Sequence, residues 1–170
     1  SYSMANAPTR LGSPPAIELH LRHMPGGQFT DQVFGTLKER DILRAEGPFG
    51  SFFLREDSAK PMILLASGTG FAPLQALIEQ MQDKAITRPA VLYWGCRRKA
   101  DLYRHGWCLQ QAAAMPQLRY VPVLSEATPE DAWTGRTGFV HQAVMADWPD
   151  LSGHQVYACG APVMVDAAQR

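Results

Sequence analysis

Apolar positions along the chain fall into two regimes. From about residue 60 onward, short unbroken apolar runs alternate with segments whose apolar residues recur every three or four positions. The run "MILLA" at residues 62–66 suits a strand buried on both faces. In "PLQALIEQMQD", Leu74, Leu77, Ile78 and Met81 stand at i, i+3, i+4 and i+7, which is one face of a helix. The alternation continues with "AVLYWG" as a strand and "ADLYRHGWCLQQAAAM" as a helix broken near Gly106. "RYVPVLS" then reads as a strand, "GFVHQAVMADW" as a helix, "HQVYACG" as a strand and "APVMVDAAQR" as the start of a helix. This order predicts an α/β fold: a parallel sheet with helices on both faces, joined by right-handed crossovers.

Before residue 60 the pattern differs. "AIELHLRHM" alternates apolar and polar residues as a strand does, "PGGQFT" is a glycine turn, and "DILRAEGPFGSFFL" reads as extended chain. This predicts antiparallel β material, with a seam near residues 47–60.

Composition narrows the function without choosing it. The chain has 170 residues with 16 Lys plus Arg against 16 Asp plus Glu, a balance that gives no footing for nucleic acid or an acidic membrane. Residues 61–78 are poor in charge, but two prolines and two glycines interrupt them, so a strand–turn–helix fits better than a membrane span. Cys96, Cys108 and Cys159 lack the short spacing of a zinc or iron–sulfur site. They predict reduced thiols in a cytoplasmic protein with no metal site in this chain. His20 and His23 would lie on opposite faces of a strand, which argues against a shared metal, and His141 and Asp147 are expected on an exposed helix face.

Three stretches could carry chemistry. In "LLASGTGFAP", Gly68 and Gly70 allow a tight turn with bare amides, and Pro73 is expected to open the helix. Such a corner is either a structural turn or an anion cradle at a helix N-terminus. It is not a P-loop, and proline replaces the third glycine of the ordinary dinucleotide fingerprint. In "YACGAPVM" a second strand ends in glycine, Gly160, before a helix opened by Pro162, with Cys159 at the strand tip as either a buried structural thiol or a site residue. In "PGGQFT", Gly26, Gly27 and Thr30 form a hairpin turn or, if Thr30 heads a helix, a second phosphate cradle.

Taken together and in order, these segments resemble the ferredoxin–NADP reductase superfamily. The likeness runs through "SYSMANAP", "LHLRHMPGGQFT", "GPFGSFFL", "LLASGTGFAP", "YWGCRRKADLY", "YVPVLSE", "GRTGFVH" and "YACGAPVMV". The wording is most similar to the CDP-6-deoxy-glucoseen reductase type, which are NADH-dependent iron–sulfur flavoproteins. The resemblance implies a partial FAD-binding β-barrel domain over residues 1–55 and an NAD(P)-binding domain over residues 56–170. It implies that Tyr2 packs on the flavin ring and Ser3 bonds near its reactive nitrogen. His20, Leu21 and Arg22 would line the flavin, and Gly26, Gly27 and Thr30 would hold the FAD pyrophosphate. Gly68, Thr69, Gly70 and Pro73 would form the nicotinamide dinucleotide cradle, with Cys159, Gly160 and Pro162 against the nicotinamide.

Ser125-Glu126 stands where NADP-selective relatives place Ser-Arg; Glu126 would repel a 2′-phosphate, whereas Arg97 and Arg98 pull mildly the other way. NADH is therefore expected over NADPH. The implied activity is hydride transfer to FAD and single-electron transfer to a ferredoxin-like domain or other one-electron acceptor, with any [2Fe-2S] centre outside this chain. The family's motif arginine would fall just before Ser1, and a further strand and an aromatic terminus beyond Arg170, so the chain reads as part of a longer flavoenzyme. A non-catalytic nucleotide-binding or docking module is the alternative.

Overall fold

A computed structural model describes residues 1–169. Its centre is a sheet of five parallel strands: β1 (Met62–Ser67), β2 (Ala90–Cys96), β3 (Leu118–Leu124), β4 (Arg136–Thr137) and β5 (Gln155–Cys159). The spatial order is β4-β3-β2-β1-β5, so β1 lies between the strand that follows it and the last strand. Helices α2 (Phe71–Asp83), α3 (His105–Ala114), α4 (Val140–Asp147) and α5 (Pro162–Ala168) connect or follow the strands. A separate short helix, α1 (Gln28–Gly35), lies upstream of the sheet.

The period-two geometry of β1 divides the core. Met62, Leu64 and Ala66 pack with Leu74, Leu77, Ile78 and Met81 of α2 and with Cys108 of α3. Ile63 and Leu65 point the other way, onto Val140, Ala143 and Val144 of α4 and Met164 of α5. Both sides of the strand are therefore dry, which explains why its sequence is apolar without alternation. Each leucine, isoleucine, valine or methionine among them contributes roughly 1.5–3 kcal/mol by leaving water.

Several local expectations shift. Helix α2 begins two residues before Pro73, because Gly68–Gly70 already form a 3-10 turn that runs into Phe71. Proline is tolerated at the third position, where the missing N–H would have had no intrahelical acceptor. The break expected near Gly106 falls earlier: a short 3-10 turn covers Lys99–Asp101, and Gly106 lies inside α3. β4 is an addition, too short to carry an apolar pattern; Gly138 N–H donates to Leu124 O at 2.9 Å and seats it beside β3. Asp147 is not on a free helix face, since its carboxylate accepts from Tyr93 Oη at 2.6 Å and from Arg136. The elements expected beyond Arg170 lie outside the described residues.

The antiparallel strands expected upstream are not formed: among the described residues no strand precedes Met62. One isolated antiparallel bridge joins Met4 and Leu19, supported by Ala5 N–H donating to Glu18 O at 2.8 Å. The alternation in "AIELHLRHM" is real but inverted, with Ile17 and Leu19 exposed at 57% and 39% while His20 turns inward and Glu18 is half-buried. A strand needs a ladder partner along its length, and here polar side chains, rather than backbone pairing, hold the segment down.

Candidate functional site

At the carboxyl edge of the sheet, β1 leads to β2 on one side and β5 returns on the other. The gap between the ends of β1 and β5 is the switch point at which open parallel sheets bind ligands. The two glycine corners singled out in the sequence meet there. Ser67 Oγ accepts from Ala161 N–H at 2.9 Å. A side chain at Gly70 would collide with the Cys159 carbonyl, and one at Gly160 with Ser67. Glycine is required at both places because backbone lies directly on backbone.

Gly68 differs. Its φ of +54° needs glycine, yet nothing lies within 4 Å of where a Cβ would be, so the space above the turn is open. The floor is aromatic: Trp94 Nε1 donates to Gly68 O at 2.9 Å, and Phe71 stacks on the indole with ring centroids 4.2 Å apart. The Phe71 N–H bonds back to Gly68 O, but the amides at the start of the Gly68–Gly70 turn precede any acceptor in it, which makes this corner attractive to an anion.

Cys159 ends β5, half-buried, and burial raises its thiol above the usual range. The other thiols are deeper, with Cys96 and Cys108 each pushed up to about 12, chiefly by burial. Pro162 is the first residue of α5, as expected.

The ends of β2 and β3 are tied together. Ser125 N–H donates to Cys96 O at 2.9 Å, Glu126 N–H to Arg97 O at 3.0 Å, and the Arg97 guanidinium stands 3.6 Å from the Glu126 carboxylate. Arg98 is committed elsewhere, donating to Asp131 at 2.7 Å and Thr128 at 2.6 Å. That guanidinium holds the Asp131 carboxyl down at about 2.

Upstream, Tyr2 and Ser3 are exposed, and the Tyr2 ring leans on Phe29 of α1 with centroids 5.3 Å apart. The "SYS" segment and the start of α1 thus converge. His20 stacks loosely on Phe71, the first residue of α2, at 6.1 Å, and meets Tyr103 Oη at 2.7 Å and Glu18 at 2.8 Å. Leu21 is half-buried and Arg22 exposed. Burial works against the Glu18 carboxylate, yet hydrogen bonds from His20, Gln75 and Arg104 hold it below its ordinary range.

The "PGGQFT" turn is a helix start with Gly27 as the residue before α1, and Thr30 is the third residue of α1 instead of its cap. Its buried hydroxyl donates back to Met24 O at 3.0 Å. Gly27 N–H donates to Met24 O at 2.8 Å and Gly26 N–H to the Asp31 carboxylate at 3.1 Å. The Gly26, Gly27 and Thr30 groups expected to face a phosphate are therefore bonded within the turn. What remains for an anion is the first turn of α1, at Gln28–Thr30.

Sequence reasoning missed Ser67, Phe71, Trp94, Glu18, Tyr103 and Arg104. Only the aromatic pair Tyr93-Trp94 within β2 hinted at a stacked floor; the polar contacts join residues too distant in sequence to leave a local signal. Among the described residues no three His, Cys, Asp or Glu side chains stand together as a metal site, and no helix is long and apolar enough to cross a membrane.

The sheet order and the paired glycine corners define a dinucleotide-binding α/β domain. Residues 64–170 match the family of oxidoreductase NAD-binding domains, and the chain belongs to that family, within the ferredoxin and flavin reductase superfamily. It is 44% identical over 99% of its length to the CDP-6-deoxy-L-threo-D-glycero-4-hexulose-3-dehydrase reductase of Yersinia pestis, covering 49% of that protein. It is 36% identical to the phenol 2-monooxygenase reductase component DmpP of Pseudomonas sp. strain CF600, over 99% of this chain and 47% of the other. The crystal structure of the Amycolatopsis cytochrome P450 reductase GcoB superposes with a TM-score of 0.85 at 37% identity, over 99% of this chain and 51% of that one. The chain thus spans about half the length of the curated relatives it matches.

Proposed function

We propose that this chain is the nicotinamide-binding part, with a portion of the flavin-binding part, of an NADH-dependent flavin reductase serving a one-electron acceptor. The observation that carries the reading is the contact of the two glycine corners at the switch point, beneath open space over Gly68. That arrangement fits a dinucleotide: bare amides at the start of the Gly68–Gly70 turn for the phosphates, and a small half-buried side chain, Cys159, beside a glycine where a flat ring needs room. For FAD, the exposed face of Tyr2 next to the start of α1 fits a ring and a phosphate within one molecule's reach. When bound, the nicotinamide supplies a hydride and the flavin takes it up and passes on single electrons.

The chain's own residues align the two and exclude water. Tyr2 and Ser3 would hold the flavin ring, with His20, Leu21 and Arg22 beside it, and the α1 amides at Gln28–Thr30 would take the pyrophosphate. Gly68, Thr69 and Gly70 hold the dinucleotide phosphates, with Cys159, Gly160 and Pro162 beside the nicotinamide. Ser125 and Glu126 face the adenosine ribose. NADH is favoured because Glu126 carries a carboxylate there while Arg98 is engaged by Asp131. Residues 1–55 belong to a flavin barrel completed by chain outside these residues, and the acceptor is an iron–sulfur domain or protein. Three unpaired thiols support a reducing, cytoplasmic setting.

A second reading rests on Asp31, whose carboxylate occupies Gly26 N–H where a phosphate oxygen would bond: a nucleotide-binding module without flavin turnover. Anaerobic mixing of the full-length protein with FAD and NADH separates the two. Bleaching of the flavin absorbance by NADH supports the reductase; NADH binding with a flavin band left oxidised supports the module.

A further inference from the structure

Helix α2 does two things at once. The glycine turn Gly68–Gly70 runs directly into its first residue, and farther along Gln75, Glu79 and Asp83 stand four residues apart on one stripe that extends about 12 Å. All three grip residues 5–18. Gln75 Nε2 donates to Ala5 O at 3.1 Å and to the Glu18 carboxylate at 3.2 Å. Glu79 accepts from Ala7 N–H at 2.9 Å. Asp83 accepts from the Thr9 hydroxyl and, at 2.7 Å, from the Arg10 guanidinium.

Gln75 and Glu79 are only 2% and 7% exposed, and the alanines they bind, Ala5 and Ala7, are fully buried. Buried polar groups are costly unless matched, and apolar side chains would cover the same surface without that cost. What the polar stripe adds is register: backbone groups at residues 5 and 7 can bond it in one alignment only. Between this anchor and Tyr2–Ser3 stands only Met4, itself bridged to Leu19.

We propose that Gln75, Glu79 and Asp83 are positioning residues that fix the distance between a flavin held at Tyr2 and Ser3 and a nicotinamide held at Gly68–Gly70; this rests on the flavin-reductase reading above. One rigid helix carries the dinucleotide corner at its start and the seat of the flavin segment along its side, so no flexible loop intervenes. Hydride transfer needs reacting atoms about 3–3.5 Å apart, and a slip of about 1 Å lowers the rate about 100-fold.

The test uses the full-length, FAD-loaded protein as wild type, Glu79→Ala, Glu79→Gln and Asp83→Asn. Stopped-flow flavin reduction at saturating NADH is read beside amide hydrogen exchange at Ala5 and Ala7. Glu79→Ala is expected to slow reduction about 10–100-fold with KM for NADH unchanged. It should also speed exchange at Ala7 while Leu64 and Leu65 stay protected. Glu79→Gln keeps an oxygen for Ala7 N–H and restores most of the rate. If Glu79→Ala does not fold, Asp83→Asn, at the exposed end of the stripe, should give a several-fold fall with faster exchange near Thr9. Wild-type speed despite faster exchange, in either variant, overturns the positioning role alone; a wild-type flavin that NADH does not reduce overturns the reductase reading beneath it.

Discussion

Residues 62–169 and residues 1–61 are held largely by different means. In the first region, five strands satisfy one another's backbone groups, and apolar side chains from both sheet faces complete two cores. In the second, Leu54 joins the core, but otherwise one backbone bridge and a set of carboxylates, guanidinium groups and amides fasten the chain to α2 and to the loop after β2. Ile42, Leu43, Phe49 and Phe53 stay exposed. The contrast teaches that the sheet region is set by packing, whereas the upstream segment is set by a small number of specific polar contacts whose strength depends on charge.

Matched substitutions break or sharpen that contrast. The largest effect is expected from Gly70→Ala, whose methyl would press into the Cys159 carbonyl. It should cost about 3 kcal/mol or more, a fall of about 6–12 °C in Tm by thermal unfolding. Gly26→Ala, at φ +81° but with open space around it, should cost roughly 1–2 kcal/mol by the same measurement. Similar losses in the two variants would deny the difference between the regions.

Next come truncations of apolar side chains. Leu64→Ala, in the buried centre of β1, should lose about 3 kcal/mol in urea unfolding. Ile42→Ala, at a residue 97% exposed, should stay within about 0.5 kcal/mol.

Acid should separate the regions without any mutation. The carboxyl groups of Glu18 and Asp83 have folded-state values below their ordinary ones: Glu18 against the pull of burial, through bonds from His20, Gln75 and Arg104, and Asp83 through Arg10 first and Thr9 second. A depressed folded value stabilises above the unfolded value, near 4 for such groups, and that stabilisation is lost as pH falls through the folded values. Below about pH 4, amides of residues 5–18 should therefore exchange before those of β1 and β2. Simultaneous loss of protection would refute the ordering. A small effect is expected from Arg10→Ala, about 0.5 kcal/mol and weakened by high salt, since its guanidinium is 37% exposed.

The sheet was largely legible in the sequence because its signals are local. A run such as "MILLA" reports burial on both faces by itself, and Leu74, Leu77, Ile78 and Met81 report one helical face. β4 was invisible because two residues carry no period. The glycines at 68, 70 and 160 were legible as a corner, but not as corners in contact: that depends on β5 returning beside β1, which is a property of topology. The upstream strand misled because alternation fixes a period and not which phase faces inward. Glu18 and His20 win the inner face through partners at Gln75, Tyr103 and Arg104, far along the chain.

The pairing of β1 with β5 brings Met62 beside Gln155 and Ala66 beside Cys159, spanning nearly the whole sheet region. Contacts between residues so far apart close the longest loop in the sheet, and such loops are the slowest to form. The crevice at the switch point therefore exists only where this long-range pairing is closed. If a dinucleotide binds at Gly68–Gly70 as proposed, its binding would report that β5 has closed against β1.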